Sequence, residues 1–312
     1  MVVSTRTIGV LSPGEMGSQV GLALREAGAR VITCVAGRSD RSAMRAREAG
    51  IEALPTIDDL VRQAEMIISV VPSLSARPLA TQIADGMKRT GSRPLYVDAN
   101  SIGPSTARAI AEAVGAAGGD FVDGSIIGSA ANLRRNATFY LSGPRAPEAA
   151  SVLEPAVRTS ILGSEPGQAS GFKVLYAGLT KGMSALGIEL LSGAVRLGLD
   201  AQLLEKYRSS HPAVMQFWET TLPGLPQRAG RRSEEMVELG ETLESQGLEA
   251  HMAHGAQATL ASLAARYRQD GGPDGETLDE LVAWLGEGAV FALDTAPHHG
   301  VLEGQQKQGG IR

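Results

Sequence analysis

A doubly wound, mostly parallel α/β sheet followed by an all-helical domain is the architecture this sequence predicts. Three observations predict it. Short apolar runs alternate with amphipathic stretches up to about residue 162, a glycine-bearing turn joins the first run to the first helix, and strand signals vanish after about Gly167. Such alternation means parallel strands joined by crossover helices that cover both faces of the sheet.

Ile8, Val10 and Leu11 read as a short buried strand. Gly14 and Gly17 open a helix with the apolar stripe Met16, Val20, Leu24 and Ala27, and Gly28 stops it. Apolar runs at Val31–Val35, Ile51–Leu54, Met66–Val71, Leu95–Asp98, Phe121–Asp123 and Thr138–Leu141 predict the remaining strands. Thr56, with Asp59 three residues on, starts one intervening helix, and Pro104, a favoured first-turn residue, starts another. Gly171–Leu199 reads as one long helix, small or apolar nearly all round and so buried on most sides. Further helices are predicted over 201–207, 214–221, 233–245, 250–267 and 278–293.

Composition narrows the function. A chain of 312 residues, 43% hydrophobic, suits about two domains. The net charge of −5 and scattered Lys and Arg argue against nucleic acid as a partner. The sole cysteine, Cys34, lies inside a predicted strand, which excludes a disulfide framework and fits a reducing cytoplasm. The first strand begins at about Thr7, leaving no room for a signal peptide, and no apolar run reads as membrane length. Expected partners are therefore a small molecule and a second copy of the chain, with no membrane.

The first turn supplies the chemistry. Ser12, Pro13, Gly14, Glu15, Met16 and Gly17 stand between strand and helix, where bare backbone N–H groups and the helix N-terminus can cradle a pyrophosphate. The first of the three glycines expected there is replaced by Ser12. The second strand ends Val35-Ala-Gly-Arg-Ser39 with no acid to accept from ribose hydroxyls. Arg38 and Ser39, with Arg41 as a second cation, suit a 2′-phosphate instead, so NADP(H) is expected in preference to NAD(H). Residues 1–164 are read as a Rossmann domain, 165–297 as a helical substrate and dimerisation domain, and 298–312 as a fraying tail.

Four segments in order carry a family resemblance: Gly14-Glu-Met-Gly17, Ser69-Val-Val-Pro72, Asp98-Ala-Asn-Ser-Ile-Gly-Pro104 and Gly167-Gln-Ala-Ser-Gly-Phe-Lys173. Together they resemble the β-hydroxyacid dehydrogenases, the group containing 3-hydroxyisobutyrate dehydrogenase and the shorter relatives of 6-phosphogluconate dehydrogenase. Thr180-Lys-Gly182 and Arg231-Arg-Ser-Glu-Glu-Met236 resemble a divergent branch with its own C-terminal helical domain. The resemblance implies hydride transfer between NADP and a hydroxyl-bearing carbon of a small β-hydroxy acid. Lys173 would be the general acid/base, with Val71, Pro72, Asn100 and Ser101 around the nicotinamide. Hydride addition to a carbonyl builds an alkoxide, and a positioned acid that neutralises it is worth ~10²–10⁴-fold.

The chain departs from that family in two places. Four residues after the lysine, relatives carry Asn where this chain has Ala177. Ala177, Thr180 and Ser184 share the stripe of Lys173, whereas Lys181 lies about 80° away at 100° per residue, so Thr180 is a candidate for the missing amide's work. The substrate loop reads Asp123-Gly-Ser-Ile-Ile-Gly-Ser129, with Ile127 in place of the family's serine, Gly128 retained, and Ser125 and Ser129 nearby. Imine reduction and non-catalytic NADP sensing are the alternatives. His251 and His254 share a helix face but have no acidic third ligand nearby, so no metal is expected. Arg231 and Arg232 read either as an anion contact or as a helix start, and Glu234-Glu235 as first-turn charge. His211 and Trp218 are candidate pocket residues, the tryptophan more in keeping with a core.

Overall fold

The computed structural model describes residues 6–288. Its strands are β1 (Thr7–Leu11), β2 (Arg30–Cys34), β3 (Glu52–Leu54), β4 (Met66–Ser69), β5 (Leu95–Asp98), β6 (Phe121–Ile127), β7 (Thr138–Ser142) and β8 (Arg158–Gly163). The helices between them are α1 (Glu15–Glu26), α2 (Asp40–Glu48), α3 (Ile57–Gln63), α4 (Ser73–Thr90), α5 (Pro104–Ala116), α6 (Leu133–Asn136) and α7 (Ala146–Leu153). Six further helices follow: α8 (Gln168–Leu197), α9 (Asp200–Ser210), α10 (Pro212–Thr221), α11 (Leu225–Glu244), α12 (His251–Asp270) and α13 (Leu278–Gly286).

The strands form one sheet in the order β3-β2-β1-β4-β5-β6-β7-β8, parallel except where β7 runs against β6. Strand order reverses at β1 and β4, the crevice where ligands of such sheets bind. Alternate residues feed two cores. Ile8, Val10, Ile68, Val97 and Val122 pack with Val20, Leu24 and Leu153 on one face. Ile67, Tyr96 and Phe121 pack with Leu60, Ile83 and Ile110 on the other. The doubly wound architecture and its helical C-terminal region match the expectation.

Three details differ from the sequence reading. β8 is an unexpected eighth strand; as an edge it leaves Arg158 and Ile161 exposed, which erases the apolar signal. α11 starts at Leu225 rather than 233, because Pro226 is tolerated in a first helical turn. Arg231, Arg232, Glu234 and Glu235 therefore lie inside a helix, and the two glutamates are not first-turn charges. α8 is long and apolar enough by composition to span a bilayer, although it had not read as a membrane-length run. Its leucine, valine, isoleucine and alanine content raises mean hydropathy, while Lys173 and Lys181 interrupt it. α13 ends at Gly286, short of the predicted 293; residues 289–293 of that prediction and the predicted tail lie outside the described residues.

By compactness the chain divides into two units, residues up to Leu186 with Gly230–Leu260, and Gly187–Ala229 with the residues from Ala261. The described residues of the second unit are helical. Trp218 is buried there, meets Tyr207 edge-on at 5.6 Å between ring centroids, and lies where a Cβ at Gly187 would fall 2.8 Å from its ring. The Arg266 guanidinium sits 3.9 Å from the centre of the Trp284 ring, and Thr277 and Glu280 form a reciprocal cap on α13.

Candidate active site

The first unit contains every residue of the predicted site. At the end of β1, Ser12 adopts a left-handed backbone (φ +58°), and its carbonyl accepts the Gly14 N–H at 2.6 Å. A Cβ on Gly17 would stand 2.6 Å from the same carbonyl oxygen, so only glycine fits this turn. Gly14 caps α1 without any side-chain hydrogen bond, leaving the first-turn N–H groups without a side-chain cap. Those groups fit a pyrophosphate.

Beyond β2, Gly37 turns the chain with φ +72°. Ser39 caps α2 by accepting the Ser42 N–H at 3.4 Å, and its hydroxyl lies 3.3 Å from that of Ser42. Arg38 is half-buried and forms no ion pair with Asp40. A guanidinium beside two hydroxyls at a helix N-terminus suits a phosphate.

The ends of β4 and β5 are tied by one side chain. Asn100, fully buried, accepts the Val71 N–H at 2.6 Å through Oδ1 and donates from Nδ2 to Ser69 Oγ at 3.1 Å and to Asp98 Oδ2 at 2.8 Å. Its amide is thus committed to holding these two loops, and Val71 is buried with it. Pro72, which caps α4, and Ser101 are exposed beside them. Burial pushes the Asp98 carboxyl up to about 7, opposed by hydrogen bonds from Asn100.

Asp98 pairs in register with Asp123 on β6, and Asp123 anchors the lysine helix. Its Oδ2 accepts from the N–H groups of Gly167 and Ser170 at 2.9 and 3.0 Å and from Ser142 Oγ at 3.1 Å; Oδ1 accepts from Ser170 Oγ at 2.5 Å. A carboxylate from the sheet therefore satisfies the orphan donors at the start of α8. A Cβ on Gly171 would touch Pro104 Cγ at 3.3 Å, so the helix start also lies against the loop after β5. Lys173 follows Ser170 by three residues. Protein surrounds its ammonium on most sides, and that loss of hydration pulls its pKa down to about 8, with Lys181 adding to the effect and Glu235 opposing it.

Sequence reasoning missed the partners that α11 brings. Lys181 Nζ lies 2.8 Å from Glu235 Oε2, and Arg231 Nε lies 3.7 Å from the other oxygen of that carboxylate. Arg232 donates to Ser184 Oγ at 3.3 Å, and Leu239 fills the notch at Gly178, where a Cβ would fall 2.6 Å from its Cδ2. Residues 178, 181 and 184 thus face 239, 235 and 232, an antiparallel helix pair. Glu238 belongs to the same cluster; burial, then Glu235 and Glu241, push its carboxyl up to about 7. No local signal pairs Lys181 with Glu235, because the two lie on different helices.

The other predicted residues divide by exposure. Ser125 is fully buried on β6, and its hydroxyl has no hydrogen-bond partner among the described residues. Ile127 is half-buried, Ser129 is exposed, and a Cβ on Gly128 would lie 2.5 Å from Ala137 Cα. Thr180 Oγ1 donates to the Ala177 carbonyl at 3.0 Å, so its proton is not free for a substrate. His254 pairs with Glu244 and His251 with Glu249, each at 2.7 Å.

Comparison with known proteins bears on the family of the chain. The sequence profile for the NAD binding domain of 6-phosphogluconate dehydrogenase matches residues 7–159, and a domain of unknown function, DUF1932, matches residues 194–263. This chain is a divergent member of the β-hydroxyacid dehydrogenase family. As such it is an NAD(P)-dependent oxidoreductase of the dehydrogenase and reductase type. It is 28% identical to a 3-hydroxyisobutyrate dehydrogenase of Pseudomonas aeruginosa, over 64% of this chain and 67% of that protein. It is also 28% identical to an uncharacterized 28.5 kDa protein of Methanothermus fervidus, over 78% of this chain and 94% of that one. Among solved structures, MTH1747, a conserved protein of unknown function with structural similarity to 3-hydroxyacid dehydrogenases, shares 29% identity at a TM-score of 0.68, covering 84% of this chain and 98% of its own. The 3-hydroxyisobutyrate dehydrogenase of Mycobacterium tuberculosis (18% identity, TM-score 0.67, 91% and 99% covered) shares the fold. So does an imine reductase of Myxococcus stipitatus bound to NADP+ (18% identity, TM-score 0.53, 89% and 99% covered).

Proposed function

We propose that this dehydrogenase uses NADP(H) to interconvert a small β-hydroxy acid and its carbonyl form, with Lys173 as general acid/base. The observation that carries the reading is the helix start at Asp123. A sheet carboxylate binds Gly167 and Ser170, three residues before Lys173, and Gly171 lies against Pro104, just beyond the loop that Asn100 holds. The cofactor supplies or accepts hydride when bound; the protein's task is to manage the proton. In reduction, Lys173 donates a proton to the substrate oxygen as negative charge builds there. In oxidation the neutral amine takes that proton from the hydroxyl. A lysine with a pKa of about 8 is poised for both directions near neutral pH.

Arg38 and Ser39 would hold the 2′-phosphate, and the turn from Ser12 to Gly17 the pyrophosphate. Pro72 and Ser101 would flank the nicotinamide, with Val71 and Asn100 fixing their loops; Ser125, Ile127, Gly128, Ser129, Ala177 and Thr180 would border the substrate. The chain would work in the cytoplasm as a homodimer built on its helical half, residues 165–297. Exposed Phe172, Leu175, Tyr176 and Leu179 form an i, i+3, i+4, i+7 stripe on α8, which supports a subunit contact there.

Purified protein tested with NADPH and NADH against β-keto acids and cyclic imines decides the reading. Turnover of keto acids with NADPH supports it; turnover of imines alone replaces it with imine reduction, and cofactor binding without any turnover replaces it with a sensor. Arg38→Ala should weaken NADPH binding by ~10-fold or more and leave NADH within about threefold, because only the phosphate contact is lost.

A further inference from the structure

The dehydrogenase reading leaves open what holds the acid group of the substrate. Ile127 stands where relatives carry a serine, so the β6 loop lacks that hydroxyl. Ala177 stands where they carry an asparagine. This alanine lies between two lysines in sequence, at i+4 from Lys173 and i−4 from Lys181, with Lys181 turned about 80° round α8 from Lys173. The lysine Cα atoms are roughly 12 Å apart along the axis, a gap that two long side chains leaning toward each other narrow greatly. The charge of Lys181 is close enough to help destabilise the Lys173 ammonium.

Lys181 is not a loose surface cation. Its side chain is only 12% exposed and is held by Glu235 at 2.8 Å, while Leu239 in the Gly178 notch locks the facing helix in register. One bond to Glu235 leaves two of its three N–H donors for other acceptors. Glu235 is shared with Arg231, so one carboxylate serves two cations. Glu238 beside them is only partly ionised near neutral pH. The seam therefore carries more positive than negative charge around a bare alanine.

We propose that Lys181, two turns along α8 from Lys173, is the residue that binds the substrate's carboxylate. Lys173 then serves the reacting oxygen while Lys181 fixes the acid end. The substrate class is a short hydroxy acid with its carboxylate close to the reacting carbon. This rests on the dehydrogenase reading, and the test separates the two.

Binding is read by titration calorimetry on NADP+-saturated protein, with 3-hydroxypropanoate and its methyl ester as probes. The ester keeps the hydroxyl and removes the charge. Wild type should bind the acid at least ~10-fold more tightly than the ester, as a charge-assisted hydrogen bond requires. Lys181→Met, which keeps the apolar stem, should abolish that preference by weakening the acid alone. Lys181→Arg should retain most of it. Glu235→Gln, which removes the competing carboxylate, should hold or tighten acid binding. Acid binding unchanged in Lys181→Met overturns the subsite. So does equal weakening of acid and ester in both Lys181→Met and Glu235→Gln, the mark of a merely structural ion pair. Absence of NADP+ binding in wild type sinks the dehydrogenase reading, whereas NADP+ binding without an acid-over-ester preference overturns the subsite alone.

Discussion

The turn after β1 and the seam between α8 and α11 build candidate sites by opposite means. The turn uses backbone from six consecutive residues, and its decisive side-chain property is the absence of a Cβ at Gly17. The seam uses side chains drawn from Lys173, Lys181, Arg231, Glu235 and Glu238, far apart in sequence and joined only by helix packing. A backbone site fails when volume is added. A side-chain site fails when a functional group is removed, while the surrounding structure can persist.

Predictions that break or sharpen this contrast run from large to small. Lys173→Ala should lower turnover by at least ~10²-fold and leave NADPH affinity within about threefold, measured by steady-state kinetics and fluorescence titration. A proportional loss of cofactor affinity would show that the lysine belongs to the nucleotide site instead. Next comes pH. Reduction needs the protonated amine, so its rate should fall about tenfold per unit once pH rises past about 8, whereas oxidation, which needs the neutral amine, should climb as pH rises toward about 8 and level off above it. A profile flat from pH 6 to 10 in both directions, with chemistry rate-limiting, would remove Lys173 as the proton donor. Gly17→Ala should do the reverse of Lys173→Ala. Its methyl group would collide with the Ser12 carbonyl, so NADPH should bind ~10-fold or more weakly while turnover at saturating cofactor changes little. The smallest effect belongs to Ser12→Gly. Relief of the left-handed serine should raise stability by about 1 kcal/mol or less in chemical denaturation, since glycine's extra chain entropy offsets part of the gain. A net loss would mean that the serine hydroxyl has a role in the turn.

Much of the sheet was legible because strand periodicity is local. Ile8, Val10 and Leu11 are buried whichever strands adjoin them. β8 was not, because an edge strand with Arg158 and Ile161 exposed carries little burial pattern. The start of α11 was hidden by Pro226, which reads as a break yet is tolerated in a first turn. In the site, the six-residue turn and Lys173 could be picked out as motifs. The work of Asp123 could not, since 44 residues separate it from Gly167 and 47 from Ser170. Glu235 was misread as helix-start charge for the related reason that its partner, Lys181, lies on another helix.

The sequence by itself determined the doubly wound sheet, the nucleotide turn and the candidacy of one lysine. Each depends on neighbours a few residues away, which fix backbone geometry and burial. Only the tertiary structure decided which groups surround that lysine, how α11 lies along α8, and that Asn100 is a brace between two loops. Electrostatics and hydrogen bonding depend on distance in space, and packing, not chain order, sets that distance.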